Sequence, residues 1–471
     1  MAENMSDIGL IGLGVMGRNF VLNMADKGFR VSVYNRTEEK TRGFIEKEKG
    51  DRPIEAFYTI GDFVKSLKRP RSVLIFVTAG KAVDGVIEEL TGCLDPDDLI
   101  VDCGNSFFRD TDRRGKDLSR KGFLFMGMGV SGGESGARHG PSMMPGGSRK
   151  AYERVAPILE ASAARAKEAP CVAYLGSGSA GHYVKMVHNG IEYGIMQLIS
   201  ESYDLMRRGL GYSVEDLSFV VKNWNSGKLN SYLVEITSRI LEHRDDKTGR
   251  PIVDIILDRA RQKGTGEWTS TSAMELQIPL PVIDTAVAMR NMSDLIGERE
   301  EAAGLLNGPS ETIKVDKKYI AGHLEEALYA SVIITFAQGF SLLRKASREY
   351  EYGLDMKTVA KIWRGGCIIR AHLLEEIKKT FGESPEVKNL LLSPVLGDEV
   401  SKRRNDLQVV IHSCMTLGIP APGFMASLAW YDAYRSKQLP ANLIMAQRDY
   451  FGAHRYERID EEGTFHTEWE M

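Results

Sequence analysis

The chain has 471 residues, 43% of them hydrophobic, with 61 basic against 64 acidic side chains for a formal charge of −3. That length points to roughly three domains with sizeable cores, and the balance of charge excludes a global basic field for nucleic acid. The five cysteines are scattered and never form a C-x-x-C pair, which argues against a disulfide framework or zinc knuckle and for a reducing, cytoplasmic setting.

The opening MAENMSD lacks the basic and apolar regions of a signal peptide, and no run approaches eighteen uninterrupted apolar residues, so neither a leader nor a membrane span is expected. DIGLIGLGVMGRNFVLNMADKGFRVSVYNRT then reads as a strand, a glycine turn, a helix from Arg18 to Lys27 and a second strand from Arg30 to Tyr34. Gly12, Gly14 and Gly17 make the G-x-G-x-x-G pattern, whose glycines turn the backbone tightly and let it approach a pyrophosphate on the positive helix end. At the close of the second strand NAD readers carry an Asp or Glu; this chain has Asn35, Arg36 and Thr37. A carboxylate would repel a 2′-phosphate, whereas a guanidinium and a hydroxyl bind one, so NADP is favoured over NAD.

Further strands are expected in SVLIFVTAG (72–80), DLIVDCGNS (98–106), FLFMGMGVSGG (123–133) and CVAYLGSG (171–178). Most end in small or polar residues, as the carboxyl edge of a doubly wound sheet requires. Asn105 stands at one such end, and Ser131, Gly132 and Gly133 at another. These signals predict an α/β Rossmann-type domain over residues 1–179.

GHYVKMVHNGIEYG (181–194) opens the second half as a helix. Lys185, Asn189, Glu192 and Tyr193 fall on one face, and Val184, Val187, Ile191 and Ile195 form a separate apolar stripe. The polar row lacks the opposite-charge pairs of a solvated face. Gly190 and Gly194 interrupt it at about 1 kcal/mol each relative to alanine, which suggests that something approaches the backbone closely. The row is therefore a candidate site lining rather than a wet surface.

From here the strand signal largely vanishes, and stretches such as Ile191–Arg208 and Glu325–Glu349 read as helices. LSFVVKNWNSGKL (217–229) echoes MKTVAKIWRGGCI (356–368), placing Trp224 and Trp363 139 positions apart. One echo is too few for a solenoid; a large all-α domain over 180–437 with an internal duplication is more economical, followed by a tail over 438–471. Lys263 and Thr265 stand in RQKGTGEWTS, read as a glycine-broken loop, Arg290 in the proline-started PLPVIDTAVAMRN, and Arg448 and His454 in AQRDYFGAHRYER. Cations gathered from separate segments suit a phosphorylated acid. His182 and His188 have neither H-x-x-x-H spacing nor a nearby cysteine, so no metal is expected.

IGLGVMG, YNRT, DCGNS, GVSGGESGARHGPSMMPGG, GHYVKMVHNGIEYG, RQKGTGEWT, RGGCIIRA and QRDYFGAH occur in that order along essentially the whole chain. Together they closely resemble the 6-phosphogluconate dehydrogenase family, the decarboxylating NADP enzymes of the pentose phosphate pathway. The resemblance implies that Lys185 is the general base on the substrate's C3 hydroxyl and that Glu192 protonates C1 after CO2 is lost. It implies that Asn105, Ser131, Gly132, Gly133, His188 and Asn189 hold the hydroxyl and carboxylate end. Tyr193, Lys263, Thr265 and Arg290 would then grip the phosphate, while Arg448 and His454 would complete the site of the neighbouring subunit in a homodimer. For NADP it implies Gly12, Leu13, Gly14, Val15, Met16 and Gly17, then Asn35, Arg36 and Thr37, then Val77, Thr78, Ala79 and again Asn105. Three positions depart from the family pattern: Thr78 and Glu267 where lysine is frequent, and Cys103 where glycine is usual. The nearest rival, a β-hydroxyacid dehydrogenase acting on a small or unphosphorylated acid, would be shorter and have a single helical unit.

Overall fold

The computed structural model describes residues 5–167, 169–309 and 316–469. Seven strands form one sheet: β1 (Ile8–Ile11), β2 (Val31–Tyr34), β3 (Ile54–Phe57), β4 (Ser72–Ile75), β5 (Leu99–Asp102), β6 (Leu124–Ser131) and β7 (Ser142–Gly147). Their order is β3-β2-β1-β4-β5-β6-β7. β1 to β6 run parallel, and β7 returns antiparallel to β6. β1, β4 and β5 are buried along their whole length, because helices cover both faces of a parallel sheet and continuous apolar runs are stable there.

Two strands of this sheet escape the sequence reading, and one expected strand is absent. β3 is only four residues long with one fully buried position, and β7 reads SMMPGG, a composition poor in strand formers that an edge position tolerates. The run 171–178 is not a strand: only Val172 bridges to Met143. It lies along β7 instead. The Cys171 and Gly176 carbonyls accept from the Met143 and Gly147 amides, and the Leu175 amide donates to the Pro145 carbonyl. The segment thus covers an edge that would otherwise be open.

The helical half is built around Ala180–Asp204 and Lys317–Glu349. The second of these is long and apolar enough to span a membrane, yet its apolar window is 89% buried inside the fold; it is a core helix. Val184, Val187, Ile191 and Ile195 are all buried against it and its neighbours, as the apolar stripe predicts. The close approach that the glycines imply comes from within the fold. A Cβ at Gly190 would lie 2.6 Å from Thr269 Cγ2, and one at Gly194 would lie 2.7 Å from Thr335 Cγ2. What approaches the backbone is a pair of neighbouring helices. Gly190→Val should therefore cost about 1–3 kcal/mol by overpacking, read as a lowered denaturation midpoint.

The echoed segments form matching helix pairs, Val214–Asn225 with Tyr232–Glu242 and Met356–Ile362 with Leu373–Glu383. Trp224 and Trp363 are both buried. The copies meet in an antiparallel bridge between Ser231 and Ala371, where the Tyr232 amide donates to the Arg370 carbonyl and the His372 amide to that of Asn230, each at 2.9 Å.

The tail carries helix Ala441–Gly452 and folds back on it. The Asp449 carboxylate, fully enclosed, accepts from the Arg455 and Thr467 amides, from His466 Nδ1 and from Trp469 Nε1 at 2.9–3.0 Å.

Candidate active site

The three glycines after β1 serve three different needs. Gly12 has φ +103°, and a Cβ there would sit 2.3 Å from the Phe76 carbonyl oxygen; a Cβ at Gly17 would sit 2.0 Å from that of Gly12. Gly14 faces open space. So the first permits the turn, the last lets helix and strand close together, and the middle one leaves the backbone accessible to a pyrophosphate. Helix Val15–Asp26, which begins one residue beyond Gly14 and earlier than the sequence suggests, has no acidic residue in its first turn, leaving its positive end uncompensated for an anion. Asn35, at the end of β2, accepts from the Leu13 amide at 3.0 Å through Oδ1 and fixes the turn. Arg36 and Thr37 are exposed beside it, and Arg36 makes no ion pair among the described residues. The chain's own groups thus fit a dinucleotide with a 2′-phosphate.

A cleft of about 1500 Å³, solvent included, separates the sheet's carboxyl edge from the helical half. Val77, Thr78, Ala79 and Asn105 line the sheet side; Asn189, Glu192, Tyr193, Lys263, Thr265 and Arg290 line the other. The sequence reading missed Trp268 and Phe107, whose rings meet at 5.0 Å across the two halves. Trp268 lies one helical turn beyond Thr265 on the same face, so the GEWT motif carried the signal. Thr265 is not in a loop as expected but opens helix Thr265–Glu275, with left-handed Gly264 before it at φ +91°.

Lys185 lies beneath the cleft wall, not on it. It is 7% exposed because Gly129 of β6 makes room for its stem; a Cβ there would be 2.3 Å from Lys185 Cβ. Lys185 Nζ donates to Asn189 Oδ1 at 2.5 Å, and Asn189 Nδ2 donates to Thr265 Oγ1 at 3.1 Å. His188 sets Nδ1 3.1 Å from Asn189 Oδ1 and Nε2 3.3 Å from Ser131 Oγ. Glu192, its side chain 20% exposed, brings Oε2 to 3.7 Å from His188 Nδ1. Gly132 and Gly133 follow Ser131 with φ +115° and +61°.

Burial decides the protonation of this cluster. It drives the Lys185 amine below its ordinary range against the opposing pull of Glu192. It raises the Glu192 carboxyl, while Lys185 and Arg290 work the other way. His188 is pushed well down, by burial and then by Lys185, which favours the neutral imidazole. Burial therefore moves the amine toward its uncharged form and the acid toward its protonated form, two turns apart on one helix, the directions that general base and general acid work requires.

At the cleft's other end the Arg290 guanidinium stacks 3.6 Å from the Tyr193 ring centroid, a cation–π contact. Lys263 is exposed nearby. Neither cation forms an ion pair among the described residues, so both charges remain available to an anionic group. Arg448 and His454 are exposed on the tail, and this chain does not bring them to the cleft. Of the three departures, Thr78 borders the cleft, Cys103 is buried under it, and Glu267 is exposed in the first turn of its helix, where an acid suits the helix dipole. Among the described residues no three metal-ligating groups come together; His182 pairs instead with Thr111 Oγ1 at 2.7 Å.

The NAD binding domain of 6-phosphogluconate dehydrogenase matches residues 7–176, and the 6-phosphogluconate dehydrogenase C-terminal domain matches residues 181–469. The NADP(+)-dependent, decarboxylating 6-phosphogluconate dehydrogenase of Bacillus subtilis (strain 168) is 50% identical over 463 residues, covering 98% of each chain. The decarboxylating enzyme of Escherichia coli (strain K12) is 49% identical over the same length and coverage. The solved 6-phosphogluconate dehydrogenase of Plasmodium falciparum, studied in its apo form, with NADP+ and with 6-phosphogluconate, superposes with a TM-score of 0.96 at 44% identity, covering 98% of this chain and 100% of its own. With the glycine turn after β1, the buried amine behind the cleft wall and the unpaired cations lining the cleft, the chain belongs to the 6-phosphogluconate dehydrogenase family.

Proposed function

We infer that this protein oxidatively decarboxylates 6-phospho-D-gluconate to D-ribulose 5-phosphate and CO2, reducing NADP+ to NADPH, as a cytoplasmic homodimer with shared active sites. The observation that carries the reading is the Lys185–Glu192 pair, depressed amine and raised acid, on the helix that walls a cleft whose far end holds unpaired Lys263 and Arg290. Residues 1–179 hold the cofactor, 180–437 the substrate and the dimer contact, and 438–471 the arm that reaches the partner.

NADP+, when bound, supplies the hydride acceptor. Gly12 to Gly17 hold its pyrophosphate, Asn35 to Thr37 its 2′-phosphate end, and Val77 to Ala79 with Asn105 its inner edge. Lys185 removes the C3 hydroxyl proton as C3 is oxidised. An ordinary lysine keeps its proton to about pH 10.4, and the burial of this amine lowers that point, the direction a base needs. The 3-keto acid then loses CO2, and Glu192 delivers a proton to C1 of the enediol. Asn189, His188, Ser131, Gly132 and Gly133 orient the hydroxyl and carboxylate end. Tyr193, Lys263, Thr265 and Arg290 bind the phosphate, with Arg448 and His454 arriving from the second subunit.

Side-by-side turnover of 6-phosphogluconate and gluconate tests the reading: strong preference for the phosphorylated acid supports it, and comparable turnover of both removes the phosphate pocket. Arg36→Asp should move the preference toward NAD by deleting a charge-assisted contact of about 1.5–3 kcal/mol; an unchanged ratio of NADP to NAD efficiency would place 2′-phosphate recognition elsewhere.

A further inference from the structure

Helix Phe108–Arg120 carries a buried guanidinium for which the reaction has no step. Arg114 is 2% exposed and divides its donors among four acceptors. Nη2 donates to the Gly80 carbonyl at 3.0 Å and Nε to Asp84 Oδ1 at 2.8 Å. Nη1 donates to Asp102 Oδ2 at 3.2 Å and to Ser106 Oγ at 3.3 Å. Asp102 in turn accepts from Ser106 Oγ at 2.6 Å and from the Gly104 amide at 3.0 Å. Gly80 closes the turn after β4, and Gly104 to Ser106 make the turn after β5. Those are the two turns that present Val77, Thr78, Ala79 and Asn105 to the cleft. Asn105 is thereby gripped between two anchored neighbours.

We propose that Arg114 is a positioning residue of the dehydrogenase, fixing the gap between the two turns that cradle the cofactor; the proposal rests on the NADP-dependent reading above. A buried ion pair is a poor source of stability, since apolar replacements often do as well. Four acceptors converging on one planar fork do something packing does not: they hold two separate turns at a set spacing. A lysine has the charge but not the fork.

Arg114→Met would strand the buried Asp102 carboxylate and endanger folding, so two milder variants decide. Asp84→Asn leaves the buried pair intact and loosens the clamp at its rim. Deleting a carboxylate near an anionic dinucleotide would tighten binding by electrostatics alone, whereas a loosened clamp weakens it, so the sign discriminates. Arg114→Lys keeps the charge beside Asp102 and loses the fork. In both variants KM for NADP and the dissociation constant from NADPH fluorescence titration should rise about tenfold, the loss of roughly one charge-assisted contact, with KM for 6-phosphogluconate little changed. Binding in Asp84→Asn that equals or exceeds the wild type overturns the proposal, as does full rescue by Arg114→Lys. The titration needs no turnover: a wild-type protein that binds NADPH but does not oxidise 6-phosphogluconate sinks the reaction and leaves the clamp test standing.

Discussion

Lys185→Ala is expected to lower kcat by about 10²- to 10⁴-fold, the range for loss of a positioned proton acceptor, while NADPH still binds. The amine donates to Asn189 and stands on helix Ala180–Asp204, whereas the glycine turn precedes helix Val15–Asp26, so its removal should spare the cofactor. The pH profile gives a second reading. Burial holds the amine below its ordinary range; it is active when deprotonated, so kcat/KM should fall as pH drops through that depressed value. Steady-state kinetics across pH check both. Near-normal turnover in the variant would remove Lys185 as the base.

Glu192→Gln should lower kcat by about 10²- to 10³-fold, with the substrate's affinity less affected because glutamine keeps the size and an acceptor oxygen. Here the sign is opposite. Burial raises the carboxyl, so the acid keeps its proton above the usual carboxylate range, and activity declines as pH climbs past that point. In the glutamine variant the basic limb should flatten while the acidic limb survives. Because Lys185 and Glu192 oppose each other's shifts, the two limbs belong to the pair. A variant that retains both limbs and full kcat would assign C1 protonation to another group.

Much of this site was legible because it rests on local chain geometry. The offsets of Lys185, Asn189, Glu192 and Tyr193 need only the helical repeat, and Gly12, Gly14 and Gly17 only the constraints of one turn. β7 was hidden because its Pro and Gly are acceptable solely at a sheet edge, a fact that depends on which strand lies beside it. The run 171–178 misled for the converse reason: its apolar residues pack, but Gly176 and Gly178 adopt positive φ and break the ladder. Gly190 and Gly194 signalled a close approach to the backbone, but not by what, since Thr269 and Thr335 come from helices distant in sequence. The Arg114 clamp was invisible, because Gly80, Asp84, Asp102 and Ser106 converge only once β4 and β5 are adjacent.

The tail's knot around Asp449 has a bearing on assembly. A limp extension would surrender its conformational freedom only on landing, and that loss would weaken the landing. By drawing Arg455, His466, Thr467 and Trp469 onto a single carboxylate, the last thirty or so residues settle that cost within their own chain. Leu443, Ile444 and Phe451 stay outward-facing, so in the proposed dimer the arm would arrive as a stiff, greasy hook rather than a loose thread.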